Sequence, residues 1–179
     1  MLSFKKNKWL KWLMSVYFCL LVACTQVIGA GGKTDITRMP VKIIFSGNQC
    51  ACGQDEFGVK QLVTQTDIDS FMVQNNNKTI GISKPEADAI KLSQNVVVAV
   101  WMGQRPTAGY KMMLVDNLAQ IEGNVAIIRL AVKTPKPESR VAQVVTSPCL
   151  LLKLPKANYN IIKLLSQDDQ ELAQLTILE

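Results

Sequence analysis

Histidine is missing from all 179 residues. That excludes every nucleophilic arrangement in which an imidazole takes the proton, Ser-His-Asp and Cys-His alike. It also removes the side chain that most often works as an acid or base near neutrality. Long runs of one charge are absent too, once the first residues are set apart. The chain holds 20 Lys plus Arg against 14 Asp plus Glu. Residues 1–23 carry four of the basic ones and none of the acidic ones, so the remainder has a net charge of +2. No stretch is left that could track a phosphate backbone, and nucleic acid is not an expected partner. The acidic clusters "GQDEFG" and "SQDDQE" lack the alternating ligand spacing of a calcium loop. "GAGG" at 29–32 precedes no strand-to-helix unit and so is no phosphate cradle. The reading is of a chain that is not an enzyme and holds neither metal nor cofactor.

What is present begins with "MLSFKKNKWLKWLMSVYFCLLVAC". Lys5, Lys6, Lys8 and Lys11 form a basic n-region, and Trp12 to Ala23 is uncharged and mostly apolar. Twelve such residues fall short of the roughly 20 wanted for a membrane-crossing helix, but they have the layout of an export signal. The closing "LVAC" resembles the bacterial lipobox, which implies cleavage before Cys24 and palmitate-type acylation of that residue. An ordinary signal peptide cut near "VIGAGG", or an uncleaved anchor, is the alternative. Each buried methylene of an acyl chain adds about 0.8 kcal/mol, so several chains hold a domain firmly to a membrane. Thr25 stands where an Asp would retain the protein at the inner membrane. By resemblance to enterobacterial sorting rules, this implies a lipid anchor in the outer membrane, facing the periplasm. The organisation expected is a signal peptide over 1–23, a flexible tether over 24–40 and one domain over 41–179.

Of five cysteines, Cys19 leaves with the signal and Cys24 takes the lipid. Cys50, Cys52 and Cys149 remain in an oxidising compartment where disulfides persist. "CAC" is too tight for an easy internal bridge, so Cys149 is paired with Cys50 or Cys52. A metal or redox site is the competing reading, and three thiols without imidazole suit it poorly.

The rest is mainly strand. "VKIIFSG" (41–47) and "FGVKQLVTQ" (57–65) read as the first two strands. Thr66 with Asp69 caps a short helix over 66–77, and Ser83, Pro85 and Glu86 start a second helix or helical turn over 83–92. "NVVVAVWM" (95–102) is a continuous apolar run, as expected of a strand buried on both faces. Residues 110–121 and 124–134 form a hairpin about Glu122, Gly123 and Asn124. "KPESR" breaks the sheet. Residues 142–155 read as a strand with Pro148 inside it, bulged or at an edge. Residues 159–165 and 172–178 make a last hairpin, turning at 167–170. The fold expected is mainly β, an antiparallel sandwich-like or half-barrel sheet with one or two short helices.

Two stretches in this β region carry a family likeness. Gly103, Pro106, Thr107, Gly109 and Tyr110 form a Gly-x-x-Pro-Thr-x-Gly-Tyr turn, then Pro135 or Pro137 marks a loop, and Gln143, Thr146, Ser147 and Pro148 form a second motif. Together, over about 95–156, they resemble the PrcB-like family of protease-complex subunits. The position after Pro148, often aromatic in that family, is Cys149 here. The resemblance implies a lipoprotein that binds and stabilises a secreted or surface protease complex and is not itself a protease. "PTAGY" is also similar to the Asn-Pro-Thr-Thr-Gly-Tyr loop of chagasin-like peptidase inhibitors. Arg105 replaces the Asn, and that family's other two loops have no equivalents, so inhibition is the alternative.

Physical chemistry makes the turn a stiff one. Pro106 fixes its own φ and extends Arg105, Gly109 can adopt the left-handed conformation, and Thr107 can bond nearby backbone. A preorganised loop loses little entropy when a protein partner binds it. Arg105 and Tyr110 are residue types favoured as anchors. Tyr110 either faces that partner or packs over the sheet, and Thr146, Ser147 and Pro148 either widen the surface or form an edge bulge.

Overall fold

The computed structural model describes residues 37–50, 56–76 and 90–178. The signal segment, Cys24, Cys52 and residues 83–89 of the expected second helix lie outside the described residues. The described chain forms β1 (Thr37–Pro40), β2 (Lys42–Gly47), β3 (Gly58–Leu62), α1 (Gln65–Asn76), β4 (Asn95–Trp101), β5 (Lys111–Glu122), β6 (Val125–Lys133), β7 (Cys149–Pro155), β8 (Ile161–Ser166) and β9 (Glu171–Thr176). They make a five-stranded sheet in the order β1-β5-β6-β8-β9 and a four-stranded sheet in the order β2-β7-β4-β3. All pairs are antiparallel except β6 with β8. The mainly β, sandwich-like expectation holds.

β4 shows why its apolar run has no polar alternation. Val96, Val98 and Val100 face the other sheet, together with Leu150, Leu152 and Leu154 of β7 and Ile128 and Leu130 of β6. Val97 and Ala99 point the other way, into a second core with Ile44, Phe45 and Leu62. That second core is capped by α1, whose Ile68, Phe71 and Met72 lie on it, with Phe71 edge-on to Phe45 at 5.8 Å between ring centroids. A strand between two apolar layers needs apolar side chains at every position. The larger sheet carries ion pairs at its surface: Arg129 meets Asp169 at 2.7 Å and Lys163 meets Glu171 at 3.0 Å.

Four details correct the expectations. Residues 37–40, assigned to the tether, form β1, which borrows its strand geometry from β5 through the register Thr37↔Ile121 to Pro40↔Leu118. The helix cap lies two residues earlier than Thr66/Asp69: the Thr64 hydroxyl accepts from Asp67 N–H at 3.1 Å, and the Asp67 carboxylate accepts from Thr64 N–H at 2.9 Å. This is the reciprocal capping box, and the bond from Thr64 N–H is the first cause holding the Asp67 carboxyl below its usual pKa. Ile90 and Lys91, placed in the second helix, are not helical, and Ile90 is buried in the second core. Pro148 precedes β7 instead of interrupting it, and β7 lies in the middle of its sheet. The proline is tolerated there because it only accepts, taking Met102 N–H on its carbonyl at 2.9 Å.

Between β1 and β2 the chain changes sheets within a single residue. Val41 separates β1 from β2, and its N–H donates to the Asn117 carbonyl at 2.8 Å. Beyond that point β2 pairs with β7, and among the described residues β5 has no further strand partner on that side. At the opposite edge, the Gln61 side chain joins the sheets as a strand residue would: its amide nitrogen donates to the Leu178 carbonyl at 3.1 Å and its oxygen accepts from Leu178 N–H at 2.8 Å.

Candidate functional site

The two separated motifs meet. Arg105 N–H donates to the Thr146 carbonyl at 2.7 Å, and Thr146 N–H returns the bond to the Arg105 carbonyl at 2.9 Å. The Thr146 hydroxyl donates to the Thr107 carbonyl at 2.9 Å, and Ala108 N–H donates to the Ala142 carbonyl at 3.0 Å. The turn 103–110 is thus stapled along the segment 142–148. Thr146, only 6% exposed, is the pin. Gly109 has φ +96°, a conformation that disfavours any side chain. A β-carbon there would also crowd Pro135 at 3.2 Å and Val141 at 3.3 Å, so the proline-containing loop forms the back of the corner.

A third segment joins from the other side. Ser147 N–H donates to the Asn48 carbonyl at 2.8 Å and Cys50 N–H to the Ser147 carbonyl at 2.9 Å. The Gln49 side chain donates to the Val145 carbonyl at 3.0 Å. Cys50 and Cys149 are disulfide-bonded with their Cα atoms 6.0 Å apart. Of the two pairings left open by sequence, the structure has Cys50. Among the described residues, no three of Cys, Asp and Glu gather where a metal ion could be held.

The structure turns both expected anchors back onto the domain. Arg105, an anchor type by sequence, is half-buried and turns back on its own chain. One guanidinium nitrogen donates to the Met102 carbonyl at 2.6 Å, and the head lies over the Tyr110 ring at 6.0 Å. Tyr110 packs against the main core. Neither side chain reaches outward: the Met102 carbonyl takes one guanidinium nitrogen and the ring faces the cation, while Arg105 Nε is buried without a hydrogen-bond partner. Thr107 is half-buried, Pro148 is buried and Ser147 is intermediate. Only Pro106 and Gly109 of the first motif face solvent.

Sequence reasoning missed the apolar residues beside them. Val144 is 47% and Val145 55% exposed. The signal was available: two adjacent valines cannot both point inward from an extended chain. Replacing Thr146 with Val keeps shape but strips the Thr107 carbonyl of its partner. The expected cost is about 1–2 kcal/mol, with faster hydrogen exchange at Arg105 and Ala108 than in the core strands. Unchanged exchange would show that the staple does not hold the corner.

Neither the curated proteins nor the solved structures gave a match. The model of the PrcB C-terminal family matches residues 96–155, from β4 through β7 and including both halves of the corner. Over that stretch, about a third of the chain, the sequence is similar to the PrcB C-terminal family.

Proposed function

We propose that this chain is a membrane-tethered, non-catalytic lipoprotein, anchored through Cys24, whose PrcB-like domain binds a protein partner and so stabilises or assembles a secreted or surface protease complex. The observation that carries the reading is the convergence of both motifs on one stapled corner, at which Pro106, Val144 and Val145 are exposed. Exposed apolar residues on a rigid frame are what a protein interface uses. Arg105 and Tyr110 act behind this surface, as its support. A loop that enters a protease cleft must stand clear of its own domain. Here the backbone of Arg105, Thr107 and Ala108 is hydrogen-bonded to Thr146 and Ala142, which favours docking along a face over insertion as an inhibitor.

The test is affinity purification of the full-length chain from membranes, with mass spectrometry of what accompanies it. An envelope protease or its subunit is expected with the wild type, and its recovery is expected to fall about tenfold for the double variant Val144→Glu/Val145→Glu, as for truncation of a small hot spot. Equal recovery, or no protease in either sample, rejects the reading. In the same preparation, Cys24→Ala is expected in the soluble fraction, and its retention on membranes would remove lipid as the tether.

A further inference from the structure

Where β2 leaves for the other sheet, β5 is left bare. Its residues Lys111–Leu114 pair with β6 on one side. On the other side β1 reaches only Leu118, and Val41 bonds Asn117. Among the described residues, nothing pairs with Lys111–Asp116 on that side. β2 and β5 therefore diverge from Val41 and leave a cleft of about 260 Å3 at the wide end, lined by Ser46, Asn48, Lys111, Met113, Pro148 and Cys149.

Bare edges are normally defended by charge, proline or a bulge. Here the defences stand at the ends: Lys111 at the start, and the register shift between Leu114 and Ala119 at the finish. Between them the edge presents Met113 at 48% exposure, and Val115, at 50%, lies inside the shift. Apolar side chains beside unpaired backbone groups invite an added strand. The mouth has a charge of one sign. Lys111 stands directly opposite Lys133 in the β5–β6 register, both are exposed, and neither forms an ion pair among the described residues. Like charges at directly paired positions repel, and a carboxylate brought beside them relieves that repulsion.

We infer that the bare edge of β5, Lys111–Asp116, takes an extended segment of a partner protein as an added antiparallel strand, with apolar residues at alternate positions and a carboxylate at its end against Lys111 and Lys133. Antiparallel addition matches the pairing of β5 with both of its neighbours and places the last residue of the incoming segment beside Lys111. The inference deepens the protein-binding reading above and rests on different residues. A partner recovered as before from β5 variants would sink this inference and leave that reading standing.

The probe is a blocked hexapeptide with valine and threonine alternating and glutamate as its last residue, titrated into 15N-labelled soluble domain beginning at residue 24. Expected are amide shifts confined to 111–116 and the facing residues 46–48. Binding is expected to weaken about fivefold per lost ion pair in Lys111→Glu/Lys133→Glu. A lysine-ended probe is expected to prefer that variant, a reversal that a misfolded domain would not give. An N-methylated probe, which cannot pair with a strand edge, is expected not to bind. No shift at millimolar peptide, shifts elsewhere, or equal binding of the N-methylated probe overturns the inference. So does a dimer in sedimentation that Met113→Glu dissolves, since the edge would then belong to a second copy.

Discussion

Replacing Cys50 and Cys149 together with alanine is expected to lower the unfolding free energy by about 4 kcal/mol. The bridge closes a loop across a sequence separation of 99, and a cross-link of that reach removes much of the freedom of the unfolded chain. The double variant is preferred to a single one because it leaves no stray thiol from the pair. Urea unfolding with and without the bond is the measurement. The variant is also expected to unfold with a steeper denaturant dependence, because its unfolded chain exposes more surface. A change below about 1 kcal/mol would mean that the unfolded chain is held compact by something other than this bond. The effect should also be felt at the corner. The bond ties the 48–50 segment to 147–149 beside the stapled turn, and the hydrogen bonds of Ser147 and Cys50 rest on that tie.

Leu152→Ala is expected to cost about 3 kcal/mol. Leu152 is wholly buried, at the centre of β7, opposite Val98 on one side and Ile43 on the other. Its side chain fills the space between the sheets, where strands on both sides of it restrict any collapse around the gap. Leu178→Ala is the control: Leu178 is 65% exposed, and its backbone bonds to Gln61 do not need its side chain. Thermal unfolding of the two should separate by many degrees. Similar losses for both would show that the sandwich core is more plastic than its close packing implies.

Much of this fold was legible in the residues. β4 is legible because apolar layers on both sides force an unbroken run. The β5–β6 turn is legible because Gly123, at φ +60°, supplies a conformation that other residues resist. β1 was not legible. Thr37–Pro40 has no pattern of its own and is a strand only because β5 lies alongside it. The helix start was ambiguous because "TQTDID" satisfies the cap spacing twice, with Thr64/Asp67 and with Thr66/Asp69. Packing of Ile68, Phe71 and Met72 on the sheet decides between the two. The corner motifs were visible, but the direction of their side chains was not. Whether Arg105 reaches solvent depends on the Met102 carbonyl and the Tyr110 ring, which only the folded chain brings within range.

The position of β7 has a consequence for the order of events in folding. It enters between β2 and β4, and Gly47 comes opposite Cys149 only when that insertion is complete. Contacts so distant along the chain form late, after the nearer hairpins have reduced the search. An oxidant that meets the chain earlier finds the two sulfurs far apart. The covalent link is therefore a seal applied to finished architecture, and its presence in a purified sample reports that the middle strand has found its slot.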